Sequence, residues 1–366
     1  MKIMHICTDK NIGGAGRWIL NLVGSQAETE MESTVLLPVG AKLTREVKAL
    51  GVSVIELPMQ EKSFDLAAIL PMRRVILQQK PDIIHTHGSF SGRIAGKLAG
   101  KKIVITRHWA KIPEDSVKSK NSWLARCLNN YLSDKWIATS NQAAENLAQS
   151  GIAQRKIVTI SNGARALEKK ADSWILEKRN ALEISGFVFG ILARLEEVKG
   201  HKYILEAASL LKEKNLDFTI LIAGSGSLEE KLKAQSRDLG LEKHIKFLGF
   251  FEAPEEFLNL LDVQINASYT ETTCLALLEG FSIGLSAIAS TGGGNPDLIQ
   301  EGENGLLFEV GKPEQLAEKM QKMMGDTSLQ KTLAKGAKDC FDKTYTAEQF
   351  AGQVANLYKE IQNERT

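Results

Sequence analysis

Ser268–Gly294 reads SYTETTCLALLEGFSIGLSAIASTGGG. Before it, Asp262–Ala267 (DVQINA) has the composition of a buried strand, and Ser286–Ser290 inside it reads as the next strand. Between them Cys274–Phe281 has helical apolar spacing, with Thr272 and Thr273 as candidate N-caps. A strand therefore ends, a loop carries Glu271, and a helix opens with free N–H groups. Glu279 follows about two turns into that helix. Parallel sheets bind ligands at this edge, and helix N-termini bind phosphate. Glutamates are ordinarily solvated or dipole partners. Glu279, however, stands in an otherwise apolar helix, CLALLEGF, where a lone carboxylate is costly without a partner. One acid in the loop and one on the helix, flanking a phosphate-facing helix start, suit a sugar nucleotide.

Working outward, strand and helix patterns alternate along the whole chain. Strands are expected near Lys2–Cys7, Thr34–Leu37, Ser53–Glu56, Asp82–Thr86, Ile103–Thr106, Trp136–Thr139 and Ile157–Ile160. A second set is expected near Phe187–Ala193, Phe218–Ala223, Ile245–Leu248, Val263–Ala267, Ser286–Ala289 and Gly305–Phe308. This alternation specifies α/β architecture with parallel sheets covered on both faces. The charged stretch Arg165–Ser185 breaks the rhythm and reads as a linker with room for a short helix. The domains expected are 1–167 and 168–346. A last helix at about 347–366 follows two others with no strand between, which suits a return to the first domain.

The 366 residues accommodate two domains. A hydrophobic fraction of 43% and a charged fraction of 25% exclude a disordered or fibrous chain. Four scattered cysteines without a C-x-x-C pair suit a reducing, cytoplasmic compartment and argue against structural zinc. The N-terminus reads as a first strand and not as a signal peptide, and no run approaches about 20 apolar residues. Residues 1–167 hold 23 basic and 13 acidic side chains, against 23 and 31 in 168–366. A basic first half suits an anionic acceptor or peripheral contact with the anionic inner face of a membrane. Equally, two halves of opposite charge could simply attract each other. Nucleic acid is disfavoured, because no basic run is interleaved with aromatics.

Further loops follow strands. In Gly190–Gly200 (GILARLEEVKG), Arg194 and Lys199 flank one loop, and a planar fork with a point charge suits a diphosphate. Ala223–Ser227 (AGSGS) lacks the third glycine of a dinucleotide fingerprint, so Gly224 marks a tight turn. Phe250 either lines a base pocket or belongs to the core, the latter being favoured. In the first half, Asn11–Arg17 (NIGGAGR) opens a helix, where Gly13 and Gly14 let amides approach an anion. It is not a P-loop. Asp82–Gly88 reads DIIHTHG, with His85 and His87 on the same side of a strand. No third ligand stands near them in sequence, and no D-x-D occurs, so no metal is expected.

Together these motifs resemble the retaining glycosyltransferases of family 4, the group 1 family with the GT-B fold. The residues carrying the resemblance are Gly13-Gly14, the HTHG at 85–88, Ser161-Asn162-Gly163, Arg194 with Lys199-Gly200, Ala223–Gly226, Glu271-x7-Glu279 and the Gly292–Asp297 turn. The resemblance implies two Rossmann-like domains facing a cleft, no cofactor, and a nucleotide-diphosphate sugar as donor, UDP-sugar favoured. Arg194 and Lys199 would hold the diphosphate, Glu279 the ribose and Glu271 the sugar hydroxyls. The segment Thr272, Thr273, Cys274, Leu275 would face phosphate or sugar, Gly14 would approach the phosphates, and His87 would lie near the reacting sugar. Gly13, Gly224 and Phe250 complete the expected donor contacts. Arg17, Arg107 and His108 are the candidates on the acceptor side, and a cell-envelope or lipid-linked saccharide is the expected acceptor. Departures are Ala164-Arg165 where the family often has an acid, Glu271-Thr272-Thr273-Cys274 in place of a Glu-Gly-Phe-Gly type loop, and Arg107-His108-Trp109 after a strand. A sugar-nucleotide epimerase of the same fold and a non-catalytic subunit are the alternative functions.

Overall fold

The computed structural model describes residues 1–26, 29–108, 123–251 and 253–364, so Trp109 lies outside the described residues. The chain divides into two compact units. One comprises Met1–Gly163 with Thr346–Thr366, and the other Ala164–Tyr345.

The first unit is built on seven parallel strands: β1 (Lys2–Cys7), β2 (Glu32–Pro38), β3 (Ser53–Leu57), β4 (Ile83–His87), β5 (Lys102–Arg107), β6 (Lys135–Ala138) and β7 (Ile157–Thr159). Their order is β3-β2-β1-β4-β5-β6-β7. β1 and β4 are buried almost throughout, as strands covered on both faces must be. One face packs on helices Gly14–Gly24, Leu43–Ala49 and Ala347–Asn363 through Trp18, Leu22, Val47, Phe350 and Tyr358. The other packs on helices Leu66–Gln79, Phe90–Leu98 and Asn141–Gln149 through Ile69, Met72, Ala95 and Leu147.

The C-terminal helix Ala347–Asn363 opens with a capping box between Thr346 and Gln349. Its apolar stripe, including Phe350, Val354, Leu357 and Ile361, is buried in the first unit's core. Each such side chain contributes about 1.5–3 kcal/mol on burial, enough to fix the helix there. Gly163 explains itself at this junction. A Cβ on it would lie 2.5 Å from Phe350 Cβ and 2.6 Å from the Thr346 carbonyl oxygen. The Ser161-Asn162-Gly163 turn is therefore shaped by the returning chain.

The second unit holds six parallel strands: β8 (Phe187–Leu192), β9 (Phe218–Ala223), β10 (Ile245–Gly249), β11 (Val263–Asn266), β12 (Ala287–Ser290) and β13 (Gly305–Phe308), in the order β10-β9-β8-β11-β12-β13. The charged stretch read as a linker is instead docked on this unit. It forms a helix over Asp172–Ala181. Arg179 donates to the Leu260 carbonyl and to Asp262, and the Lys170 amide donates to Asn259. Among the described residues no helix is long and apolar enough to cross a membrane.

Candidate functional site

Strand order reverses once in each sheet, between β1 and β4 and between β8 and β11. Connections leave these neighbouring strands in opposite directions, which opens a crevice at their carboxyl ends. Gly13, Gly14 and Arg17 follow β1, His87 ends β4, Arg194 and Lys199 follow β8, and Glu271 to Glu279 follow β11, whereas Arg107 and His108 stand at the end of β5 and Gly224 and Phe250 follow β9 and β10.

In the second unit the loops after β8, β9, β11 and β12 are fitted to one another by backbone. Gly200 has φ 65°, and a Cβ there would lie 2.0 Å from the Ala267 carbonyl oxygen. Gly224 has φ 143°, and a Cβ there would lie 1.9 Å from the Ala193 carbonyl oxygen. Only glycine permits such approach. Gly224 therefore seats the β9 loop against the β8 loop, which accounts for it without any ligand. Glu196 reinforces that seat by accepting from the Ser227 amide and hydroxyl.

Within this frame the Lys199 ammonium donates to Glu271 Oε1, and the Ser268 hydroxyl donates to the same oxygen at 3.1 Å. The two side chains are mostly buried, at 18% and 13% exposure. The diphosphate cation and the sugar acid expected from sequence thus hold each other in the unliganded chain. Arg194 is exposed on the same loop. Glu279 lies half-buried on the helix Leu275–Ser282.

Neither Thr272 nor Thr273 caps that helix. It opens one residue later, with Cys274 at the N-cap position and no side-chain cap bond. Cys274 accepts from the Asn266 side-chain amide, and burial raises its thiol to about 11. It is a protonated packing group and no nucleophile. Phe250, favoured as core, is 74% exposed beyond β10. Sequence reasoning missed Asn266, Ser290 and Asn295. Asn295 donates to the Ser290 carbonyl, and the Ser290 hydroxyl donates to the Ser268 carbonyl, so this buried net fixes the Glu271 loop from beneath. Asn266 inside the apolar DVQINA was the available signal.

In the first unit, Gly13 precedes the helix Gly14–Gly24, and a Cβ on Gly14 would meet nothing within 4 Å. Arg17 is half-buried one turn on. The larger surprise is His5. It lies beside His85 in the β1–β4 register and completes a buried cluster of His5, His85 and His87. A third histidine does therefore stand at the HTH pair, contrary to the spacing argument, because β1 is the neighbouring strand. Five of the cluster's six ring nitrogens are already engaged, His5 Nε2 being the exception. His85 Nε2 lies 2.7 Å from the Thr106 hydroxyl and Nδ1 2.5 Å from the Tyr358 hydroxyl. His87 Nε2 lies 3.3 Å from His5 Nδ1, and His87 Nδ1 lies 2.9 Å from His108 Nε2.

Three neutral rings joined by two hydrogen bonds must share one direction. Buried N–H groups without partners are rarer than bare acceptors. His5 Nε2 is buried without a partner, so its proton belongs on Nδ1. His5 then donates to His87, His87 to His108, and His108 carries its own proton on Nδ1. Burial keeps all of these rings neutral: His5 and His108 fall to about 3, and His85 and His87 also fall well below the usual value. His87 is only 3% exposed and reaches its surroundings through His108, which is half-buried. Arg107, beside it, is half-buried and loses some basicity to burial.

A family described as Glycosyl transferases group 1 matches residues 172–339, and Glycosyltransferase Family 4 matches 12–165. An Escherichia coli UDP-Gal:alpha-D-GlcNAc-diphosphoundecaprenol alpha-1,3-galactosyltransferase is 32% identical over 265 residues, covering 67% of each chain. This chain belongs to the group 1, family 4 glycosyltransferases. The glycosyltransferase is also 25% identical over 311 residues to the N-acetyl-alpha-D-glucosaminyl L-malate synthase of Bacillus anthracis, covering 82% of this chain and 81% of that one. Its architecture matches Anabaena HepE in complex with UDP at a TM-score of 0.87 and 22% identity, over 98% of this chain and 100% of that one. The two Rossmann-like units are accordingly those of the GT-B fold.

Proposed function

We propose that this glycosyltransferase moves a hexose-type sugar from a nucleotide-diphosphate sugar, UDP-sugar favoured, to a cell-envelope or lipid-linked saccharide, with retention and without a metal. The observation that carries the reading is the Lys199–Glu271 pair. It joins the loops of β8 and β11 across the point where strand order reverses. Relatives and structural neighbours whose names include UDP or UDP-sugars support the choice of base.

In this reading the donor diphosphate displaces Glu271 from Lys199 and is held by Lys199 and Arg194. Glu271, released, accepts hydrogen bonds from the donor sugar, and Glu279 from the ribose. The bond from the anomeric carbon to the β-phosphate oxygen breaks, and its electron pair leaves with the nucleoside diphosphate. Lys199 and Arg194 stabilise that developing charge more than the ground state, which is what lowers the barrier. The acceptor hydroxyl adds on the same face, and its proton passes to the departing phosphate oxygen. No protein nucleophile is required. In the first unit, His108 is the better placed of the two proposed histidines to touch substrate, with His87 behind it fixing its tautomer. Arg17 and Arg107 are retained as acceptor-side groups.

The test is sugar transfer and slow hydrolysis with a panel of UDP-, GDP- and ADP-sugars, using Arg194→Ala and Lys199→Ala. Losing one charge-assisted contact to the leaving group should cost roughly 100- to 1000-fold in kcat. Unchanged turnover in either variant would sink the reading. Donor consumed without acceptor and inverted at C2 would instead favour the epimerase.

A further inference from the structure

The helix Leu66–Gln79 is apolar on two sides. Ala68, Ile69, Met72 and Ile76 are buried against the first sheet. Leu66, Leu70 and Leu77 are 72%, 71% and 43% exposed. At 100° per residue these three leucines fall within about 40° of one another, centred about 125° round the helix from the buried stripe. Arg73 and Arg74 flank them. A surface helix needs only one apolar face.

The neighbouring elements repeat the pattern. Arg73 Nε donates to the Leu98 carbonyl at the end of helix Phe90–Leu98, and Leu98 is 55% exposed. The Lys97 ammonium lies 5.9 Å above the Tyr131 ring of helix Trp123–Tyr131. That third helix buries none of its residues and leaves Trp123, Leu124 and Tyr131 59–77% exposed. The helices on the opposite face of this sheet expose no large hydrophobic side chain among the described residues. Charge is as one-sided. LAAILPMRRVILQQ, FSGRIAGKL and WLARCLNNY contain no aspartate or glutamate, and of their five arginines and lysines Arg74 and Arg126 are exposed and Arg73 half-buried, while Arg93 is buried and Lys97 pairs with Asp134.

We propose that this ridge of three helices is a docking surface for an anionic lipid bilayer. Leucines and aromatic surface left exposed among the described residues lower their free energy in the acyl boundary, and flanking arginines gain from anionic headgroups. Tryptophan and tyrosine suit the interfacial depth. A protein partner's surface would need acids to match these cations, whereas a leaflet of anionic lipid supplies apolar and anionic groups together. The inference rests on the lipid-linked acceptor reading only for its purpose. The surface stands on its own residues.

The experiment is co-sedimentation of the full chain with vesicles of phosphatidylcholine alone or with phosphatidylglycerol. Expected is binding that requires phosphatidylglycerol, weakens with salt, and falls roughly tenfold or more in Leu66→Ser/Leu70→Ser/Leu77→Ser. Arg74→Gln should weaken it several-fold. All four residues are exposed and remote from Lys199 and Glu271 in sequence and unit, so sugar-nucleotide hydrolysis should persist and reports folding. No binding to anionic vesicles overturns the proposal, as does binding that the leucine variants leave intact. A concentration-dependent dimer abolished by those variants overturns it too, by giving the face to a second copy. Lost vesicle binding with retained hydrolysis leaves the glycosyltransferase reading untouched, and the converse isolates that reading's failure.

Discussion

Lowering the pH from 7.5 to 5.5 should destabilise the first unit steeply and the second much less. His5, His85 and His87 are buried, and burial lowers all three, His5 to about 3. In the unfolded chain each titrates near 6.5. Between 6.5 and the folded value the unfolded state binds protons that the native rings refuse. Stability is therefore intact above about 6.5 and falls as pH drops below it. At pH 5.5 the loss is about 1.4 kcal/mol for each ring and about 4 kcal/mol for the three, before any share from His108. Against a typical stability of about 5–15 kcal/mol this is a large fraction. The second unit holds one comparable ring, His201, which burial lowers to about 4. Urea unfolding at both pH values, followed by hydrogen exchange at the amides of β1 and β4 against β8 and β11, measures the difference. Equal stability at the two pH values, or earlier loss of protection in β8 and β11, would refute the assignment of neutral buried rings.

Other perturbations follow from the same contacts. Glu271→Gln frees the Lys199 charge from its carboxylate, so UDP should bind about 5- to 30-fold tighter by titration calorimetry while transfer falls; weaker UDP binding in a folded variant would contradict the exchange of partners. Gly224→Ala places a methyl 1.9 Å from the Ala193 carbonyl and should cost roughly 2–4 kcal/mol in the second unit, read as a lower Tm. Tyr358→Phe leaves His85 Nδ1 without its hydrogen-bond partner and should cost about 1–3 kcal/mol, seen as earlier urea unfolding with no change in UDP affinity.

The thirteen strands among the described residues are legible in the sequence, because a parallel strand covered on both faces is a short continuous apolar run with turn residues at its ends. β1, β9 and β13 begin and end where the pattern places them. The charged docked helix was not legible as part of the second unit, since Arg179 reaches Leu260 and Asp262 across more than 80 residues. Arg194, Lys199 and Glu271 were visible as residue types after strand ends. Their pairing was not, nor was the histidine chain.

The sequence by itself determined the alternation of strand and helix, the return of an amphipathic last helix, and which chemical groups stand at loop edges. These are local matters of periodicity, capping and composition. Tertiary structure alone decided which loops meet. Placing β11 beside β8 brings Glu271 to Lys199, and placing β4 beside β1 turns a spaced H-x-H into a directional chain from His5 through His87 to His108. Strand order is set by packing of whole layers, so no spacing within one segment could have revealed either contact.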